Sequence, residues 1–356
     1  MDLEISLDRL SEAKFLLADG ATGTNLFLKG LLTGDAPELW NLKQSKKIAE
    51  LHKDFLEAGS QLILTNSFGG SSCRLKLHNE EKRVREINFA ASAIAKECAD
   101  KFQETKFVAG SVGPTGELFE PLGLLTYDDA VEIFHEQMDA LKSGGVDLIW
   151  IETISALDEL KAALVAAKRT GLPTCCTLSF DTHGSTMMGV SPKSFVRFCE
   201  DNNLTSYGAN CGVGPSEMVD TILQIKKNQT NEIAIIAKGN CGIPSYQEGK
   251  IVYSGTPEIM STYALMAFKA GAKIIGGCCG TTPLHIRAMR NSLEKAPISE
   301  SYSADEHFSL LGRPWQETDK GKKRRQGSNL RNRKLIKLQE QLCTYYPIDF
   351  SYSYRY

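Results

Sequence analysis

The chain has 356 residues, is 42% hydrophobic and 24% charged, and carries a formal charge of −2, the mixture of an ordinary globular protein able to bury a sizeable core. That balance supplies no whole-molecule attraction to nucleic acid or to an acidic membrane, and no run approaches the ~18 apolar residues of a membrane span. Ten cysteines are scattered along the chain, and MDLEISLDRL at its start is acidic where a secretion signal is basic, so a reducing, cytoplasmic setting with free or metal-bound thiols is expected.

Eight short apolar runs, each ending in glycine or polar residues, read as strands. The first is Phe15 to Ala18, ending in Asp19-Gly20. An amphipathic stretch from Ser45 to Ala58, with Ile48, Leu51, Phe55 and Leu56 at helical spacing, leads to the second, Gln61 to Leu64. A helical stretch from Glu80 to Phe102 precedes the third, Phe107 to Ala109. Tyr127 to Lys142, with Val131, Phe134, Met138 and Leu141 on one face, precedes the fourth, Leu148 to Ile151, which closes on Glu152-Thr153. Thr174 to Leu178, Ser206 to Ala209 and Ile233 to Ala237 follow, ending at Ser179, Asn210-Cys211-Gly212 and Gly239-Asn240.

The eighth run, Lys273 to Gly277, enters GGCCGTTP, where Thr281, Thr282 and Pro283 read as a helix start. Eight strands alternating with helices over about 280 residues predict an α/β fold, a (β/α)8 TIM-type barrel, with a doubly wound open sheet as the alternative. The barrel is placed over 1–298. After Glu300 a basic run from Lys320 to Lys337 and a tyrosine-rich end from Tyr345 to Tyr356 define a C-terminal extension, 299–356. It is expected to be partly disordered or to make oligomer contacts.

In a barrel, the groups closing each strand converge on one mouth: Asp19, Thr65, Glu152, Ser179, Cys211, Asn240, Cys278 and Cys279. Adjacent cysteines serve either as small apolar core residues or as metal ligands. With Cys211 beside Gly212 as the third thiolate, Cys278 and Cys279 make a three-sulfur zinc site with one open position. A structural zinc would instead have four protein ligands. Three thiolates against a divalent ion make an electron-rich centre that suits a thiol ligand, whose free pKa is about 8.5, better than it suits water. Glu152 and Asp19 can receive a cationic substrate group and the amides from Gly20 to Thr24 an anionic one, which together suit an amino acid; Asp19 also reads as a turn or helix cap.

DGATGTN near the start, TNSF at Thr65 to Phe68, IET at Ile151 to Thr153, NCG at Asn210 to Gly212, and GGCCGTTP resemble the homocysteine S-methyltransferases over about residues 13 to 295. The resemblance implies an enzyme in which Cys211, Cys278 and Cys279 hold Zn2+. Asp19, Gly20, Thr65 and Glu152 would bind the amino and carboxylate groups of homocysteine, and no protein side chain would be the nucleophile. A substrate thiolate on zinc would displace a methyl group from a positively charged donor, giving methionine.

GPTGELFEPLG at Gly113 to Gly123 and APELWN at Ala36 to Asn41 are most similar to bacterial betaine-homocysteine methyltransferases. That makes glycine betaine the expected donor and dimethylglycine the co-product, with Trp40, Phe68 and Phe119 as candidate onium-binding faces. Animal betaine enzymes place an aromatic donor-binding residue where this chain has Gly69. S-methylmethionine is the alternative donor, and a homocysteine-binding module working with separate cobalamin or folate proteins is the alternative role. From the length, a stand-alone enzyme without those domains is expected; no nucleic-acid or membrane partner is expected, and self-association through the basic tail is left open.

Overall fold

The computed structural model describes residues 13–315 apart from 203, 243, 248, 249 and 298–300. All eight apolar runs become strands of one parallel sheet: β1 (Leu16–Leu17), β2 (Leu62–Leu64), β3 (Phe107–Val112), β4 (Leu148–Ile154), β5 (Thr174–Leu178), β6 (Ser206–Cys211), β7 (Ala234–Gly239) and, after a hairpin of β8 (Pro244–Gln247) and β9 (Lys250–Tyr253), β10 (Ala272–Gly277). The order is β1-β10-β7-β6-β5-β4-β3-β2, and a parallel bridge from Ala18 to Leu62 joins the two ends. The sheet is therefore a (β/α)8 barrel, and the open-sheet alternative falls.

Helices α1 (Ser45–Glu57), α2 (Val84–Ala99), α3 (Tyr127–Ser143), α4 (Leu157–Thr170), α5 (Pro192–Asp201), α6 (Pro215–Asn228) and α7 (Pro257–Lys269) return the chain to the next barrel strand, and α8 (Pro283–Lys295) follows the last one. Four of them open on proline at the first helical position, where the missing N–H costs nothing and φ is already helical. Helix α2 is shorter than the predicted 80–102 because the chain enters it through a tight 3₁₀ turn at Glu81–Arg83. The β8–β9 hairpin was not expected, since its strands are too short to show a period.

The sheet separates two cores by alternation. Residues of one parity, including Leu16, Leu62, Leu64, Phe107, Ala109, Leu148, Trp150, Cys175, Ile236 and Ile274, fill the barrel. The other parity, including Leu17, Ile63, Val108, Ile149, Ile151, Cys176 and Ile235, packs under the helices. Phe134 on α3 is fully buried in this outer layer. Phe134→Ala is expected to lower stability by about 3–5 kcal/mol, read as a shift in the denaturant midpoint.

Among the described residues no helix is long and apolar enough to cross a membrane. A further helix, α9 (Ala304–Leu311), lies within the predicted extension and docks on the barrel. Its His307 is buried between the Ser216 hydroxyl (3.0 Å) and the Tyr302 hydroxyl (2.8 Å), and Glu306 pairs with Lys269 at 3.0 Å. The Trp315 indole N–H donates to Asp220. The basic run and the tyrosine-rich end lie outside the described residues.

Candidate metal centre

Continuing the inward parity toward the strand ends puts four polar residues in the barrel's top layer: Ser111 on β3, Glu152 on β4, Asn210 on β6 and Lys238 on β7. All four are buried. Immediately above, Cys211 ends β6 in the left-handed region (φ 61°), followed by Gly212 at φ 73°, so two consecutive left-handed residues turn the chain sharply at the sulfur. Cys278 and Cys279 follow β10. The Cys278 amide donates to Gly239 O (2.8 Å). Asn240 ties the cysteine segments together, accepting from the Cys279 amide (3.0 Å) and donating to Gly212 O (2.7 Å).

The ligand atoms of Cys211, Cys278 and Cys279 all lie within 4.8 Å of one another, and each residue is half-buried. Tetrahedral zinc with sulfur at about 2.3 Å requires sulfur–sulfur separations of about 3.8 Å, so the triad fits that ion, and three soft thiolates suit it chemically. No other group of three or more potential ligands is brought together among the described residues. Hydrogen bonds from Cys211 and Cys279 hold the Cys278 thiol well below its ordinary range, while the bond to Cys278 pushes Cys211 well above. Tyr253, at the end of the β8–β9 hairpin, packs over Gly280, where a Cβ would come within 2.3 Å of its ring, and burial together with the neighbouring cysteines pushes its hydroxyl pKa up.

Two carboxylates flank the sulfurs. Glu152 accepts from the Ser111 hydroxyl (2.5 Å) and the Asn210 amide (3.4 Å), and burial pushes its pKa up to about 7 against the opposing pull of Lys238. Glu152 lies within β4 rather than beyond it. The following Thr153 has φ 62°, costly for a β-branched residue, and is held by Asn210, which accepts from its amide (2.9 Å) and donates to its hydroxyl (2.7 Å). Asp19 has both oxygens engaged: Oδ2 accepts from the Leu64 amide (2.8 Å) and Oδ1 from Lys238 Nζ (2.6 Å). Burial nevertheless raises its pKa, with Lys238 pulling the other way.

Other predicted positions take more local places. Gly20 lies against α8's entry, where a Cβ would come within 2.6 Å of Thr281 O. Thr65 is buried, and its hydroxyl meets Ser67 (2.6 Å) and accepts from the Ser111 amide (3.0 Å). Trp40 is buried in the outer core with the Lys47 ammonium 4.7 Å from its ring centre, a cation already on the face proposed for an onium group. Phe68 and Phe119 are half-buried, and the Gly69 amide donates to Glu38.

Sequence reading missed Lys238. The seventh run was ended at Ala237 because a lysine follows, yet 236 and 238 share the inward parity, and that alternation was the available signal. It also missed Ser111 and Tyr253.

A parallel eight-stranded barrel with three clustered cysteines and buried carboxylates at its mouth carries a donor set that could hold a metal ion. Residues 16–293 match the family model described as homocysteine S-methyltransferase, and the chain belongs to that family. It is 28% identical over 298 residues to the methionine synthase of Mycobacterium tuberculosis, covering 79% of this chain but 25% of that protein. It is likewise 28% identical over 291 residues to that of Mycobacterium leprae, covering 77% and 24%. The chain thus spans about a quarter of the length of these relatives. The metallated form of the Escherichia coli homocysteine methyltransferase MmuM has the same fold, with TM-score 0.68 and 20% identity over 82% of this chain and 99% of that one.

Proposed function

We propose that the protein transfers a methyl group from a small onium donor, glycine betaine first, to the sulfur of homocysteine, giving methionine and dimethylglycine. The observation that carries this reading is the meeting of three cysteine sulfurs with a buried Asp19–Lys238–Glu152 cluster in one barrel mouth. Zinc, held by Cys211, Cys278 and Cys279, would supply the positive charge that keeps the substrate sulfur deprotonated near neutral pH.

The residues of the chain do the rest. Glu152, fixed by Ser111 and Asn210, opposes the substrate ammonium, and the amides of the Gly20 turn face its carboxylate. The sulfur lone pair attacks the methyl carbon while the carbon–nitrogen bond breaks, its electron pair going to nitrogen. An anion and a cation thereby become two neutral centres, so the developing charge shrinks along the path and a water-poor mouth favours the step. Phe68 and Phe119 are the faces offered to the onium group. Trp40, already covered by Lys47, acts in packing.

The second reading is a homocysteine module serving separate cobalamin or folate proteins. It is favoured by the identity to one quarter of a methionine synthase. Zinc-loaded protein is expected to form methionine from homocysteine with betaine, and to do so poorly with S-methylmethionine or methyltetrahydrofolate. Turnover with S-methylmethionine alone would replace the donor. Homocysteine binding without turnover by any of the three would replace the first reading with the second.

A further inference from the structure

We propose that Lys238 is a specificity-determining residue whose fixed positive charge admits the substrate as a thiolate, so that the site distinguishes homocysteine from the methylated product; this rests on the homocysteine reading above. Lys238 lies on β7 between the two strands that deliver the cysteines. It is in register with Asn210 on β6, one residue before Cys211, and with Gly276 on β10, two before Cys278. Its ammonium is 2.6 Å from Asp19, and the pair is almost fully buried, at 3% and 2% side-chain exposure. The ammonium also lies 5.6 Å from the centre of the Trp150 ring, which floors the mouth.

Space for this lysine is built into the double glycine before the cysteines. A Cβ on Gly276 would stand 2.9 Å from Ala18 Cβ and Asp19 O and 3.2 Å from Lys238 Cγ. Of the described buried cations, Lys106 pairs with Glu104 and Arg74 lies on the short helix Ser72–Lys76, facing Glu159. Lys238 alone faces Asp19, Glu152 and Cys278.

The charge count gives it a task. Three thiolates around a divalent ion leave one negative charge, and ionised Asp19 and Glu152 add two more. The ammonium and carboxylate of an amino acid cancel, so a substrate that surrenders its thiol proton adds a fourth negative charge to a poorly hydrated site. Burying such charge uncompensated is costly, and Lys238 is the compensation the fold provides. The thioether of methionine carries no charge at sulfur and gains little from it.

The test compares homocysteine and methionine binding to zinc-loaded wild type and Lys238→Met, by calorimetric titration or displacement, with zinc content measured in parallel. Lys238→Met is expected to retain zinc and to weaken homocysteine on the order of 30-fold, while methionine changes by under about threefold, as for loss of one unit charge several ångströms from a buried thiolate. Asp19→Asn with Lys238→Met removes one charge of each sign from the buried pair; it guards against misfolding of the single variant and, because the net charge around the sulfur returns to the wild-type count, is expected to regain most of the preference for homocysteine over methionine. Equal weakening of both ligands, or of neither, would overturn the proposal by reducing Lys238 to a structural partner of Asp19. Failure of the zinc-loaded wild type to bind homocysteine would overturn the homocysteine reading, and this inference with it.

Discussion

Replacing Cys211 with alanine is expected to remove bound zinc, from about one equivalent to under about a tenth, and to lower methionine formation by at least about 10³-fold. Two adjacent thiolates on one turn cannot complete a tetrahedral set, and no further cysteine, histidine, aspartate or glutamate joins the cluster among the described residues to stand in. The fold should survive. Alanine at φ 61° is no worse than cysteine there, and the Cys278 and Cys279 amides keep their bonds to Gly239 and Asn240. Cys241→Ala is the control: this thiol is buried and directed at Gly255 O (3.1 Å), outside the triad, so metal content should stay near wild type. Metal analysis, circular dichroism and the methionine assay on the same preparations decide the matter. Full activity in a zinc-free Cys211→Ala protein would end the metal reading.

Glu152→Gln is expected to weaken homocysteine about 10²-fold while zinc content holds, because it leaves the substrate ammonium without its opposing charge in a buried site. The pH dependence follows from a carboxyl pushed up to about 7 by burial. Release of the homocysteine thiol proton makes both proteins bind more weakly as the pH falls, but wild-type affinity should fall more steeply below about 7, where Glu152 protonates, and the glutamine variant should keep only the slope of the thiol. Stability of the ligand-free protein runs the opposite way. Because the folded pKa lies above the ordinary 4.5, the contribution of Glu152 to stability is fully present below pH 4.5 and is lost as the pH rises through about 7. At pH 8 the glutamine variant should therefore be the more stable protein, by up to ~3 kcal/mol in denaturant melts. A variant that is both weaker in binding and less stable at pH 8 would place Glu152 in the framework instead.

How much of this was legible follows from what a period can carry. Strand existence was, because each strand buries both faces and reads as an apolar run. Strand ends were less so: β3, β6 and β7 extend past the predicted stops through Gly110-Ser111-Val112, Asn210-Cys211 and Lys238-Gly239, where polarity was mistaken for exit from the sheet. Those misplaced ends line the proposed site, since a barrel's top layer is still sheet but already polar. The cysteines were visible through their glycine-flanked positions. Partners in space were not: nothing in DGATGT announces that Asp19 meets a lysine 219 positions away. The aromatic candidates fared according to exposure, which composition does not encode, and Trp40 went to the outer core with a lysine on its face.

The closing of the barrel carries one more consequence. Strand β1 contributes two residues, and its edge meets β2 through a single bridge, so the seam between first and last strands of the sheet is the thinnest part of the wall. Asp19 sits at that seam, gripping the Leu64 amide of β2 with one oxygen and Lys238 of β7 with the other. Local opening there breaks the ion pair at the same moment, so breathing of the wall and readiness of the mouth are one equilibrium. Deuterium uptake at the Leu64 amide thus reports on the mouth from inside the wall, and a ligand that settles over Asp19 and Lys238 slows it without touching β2.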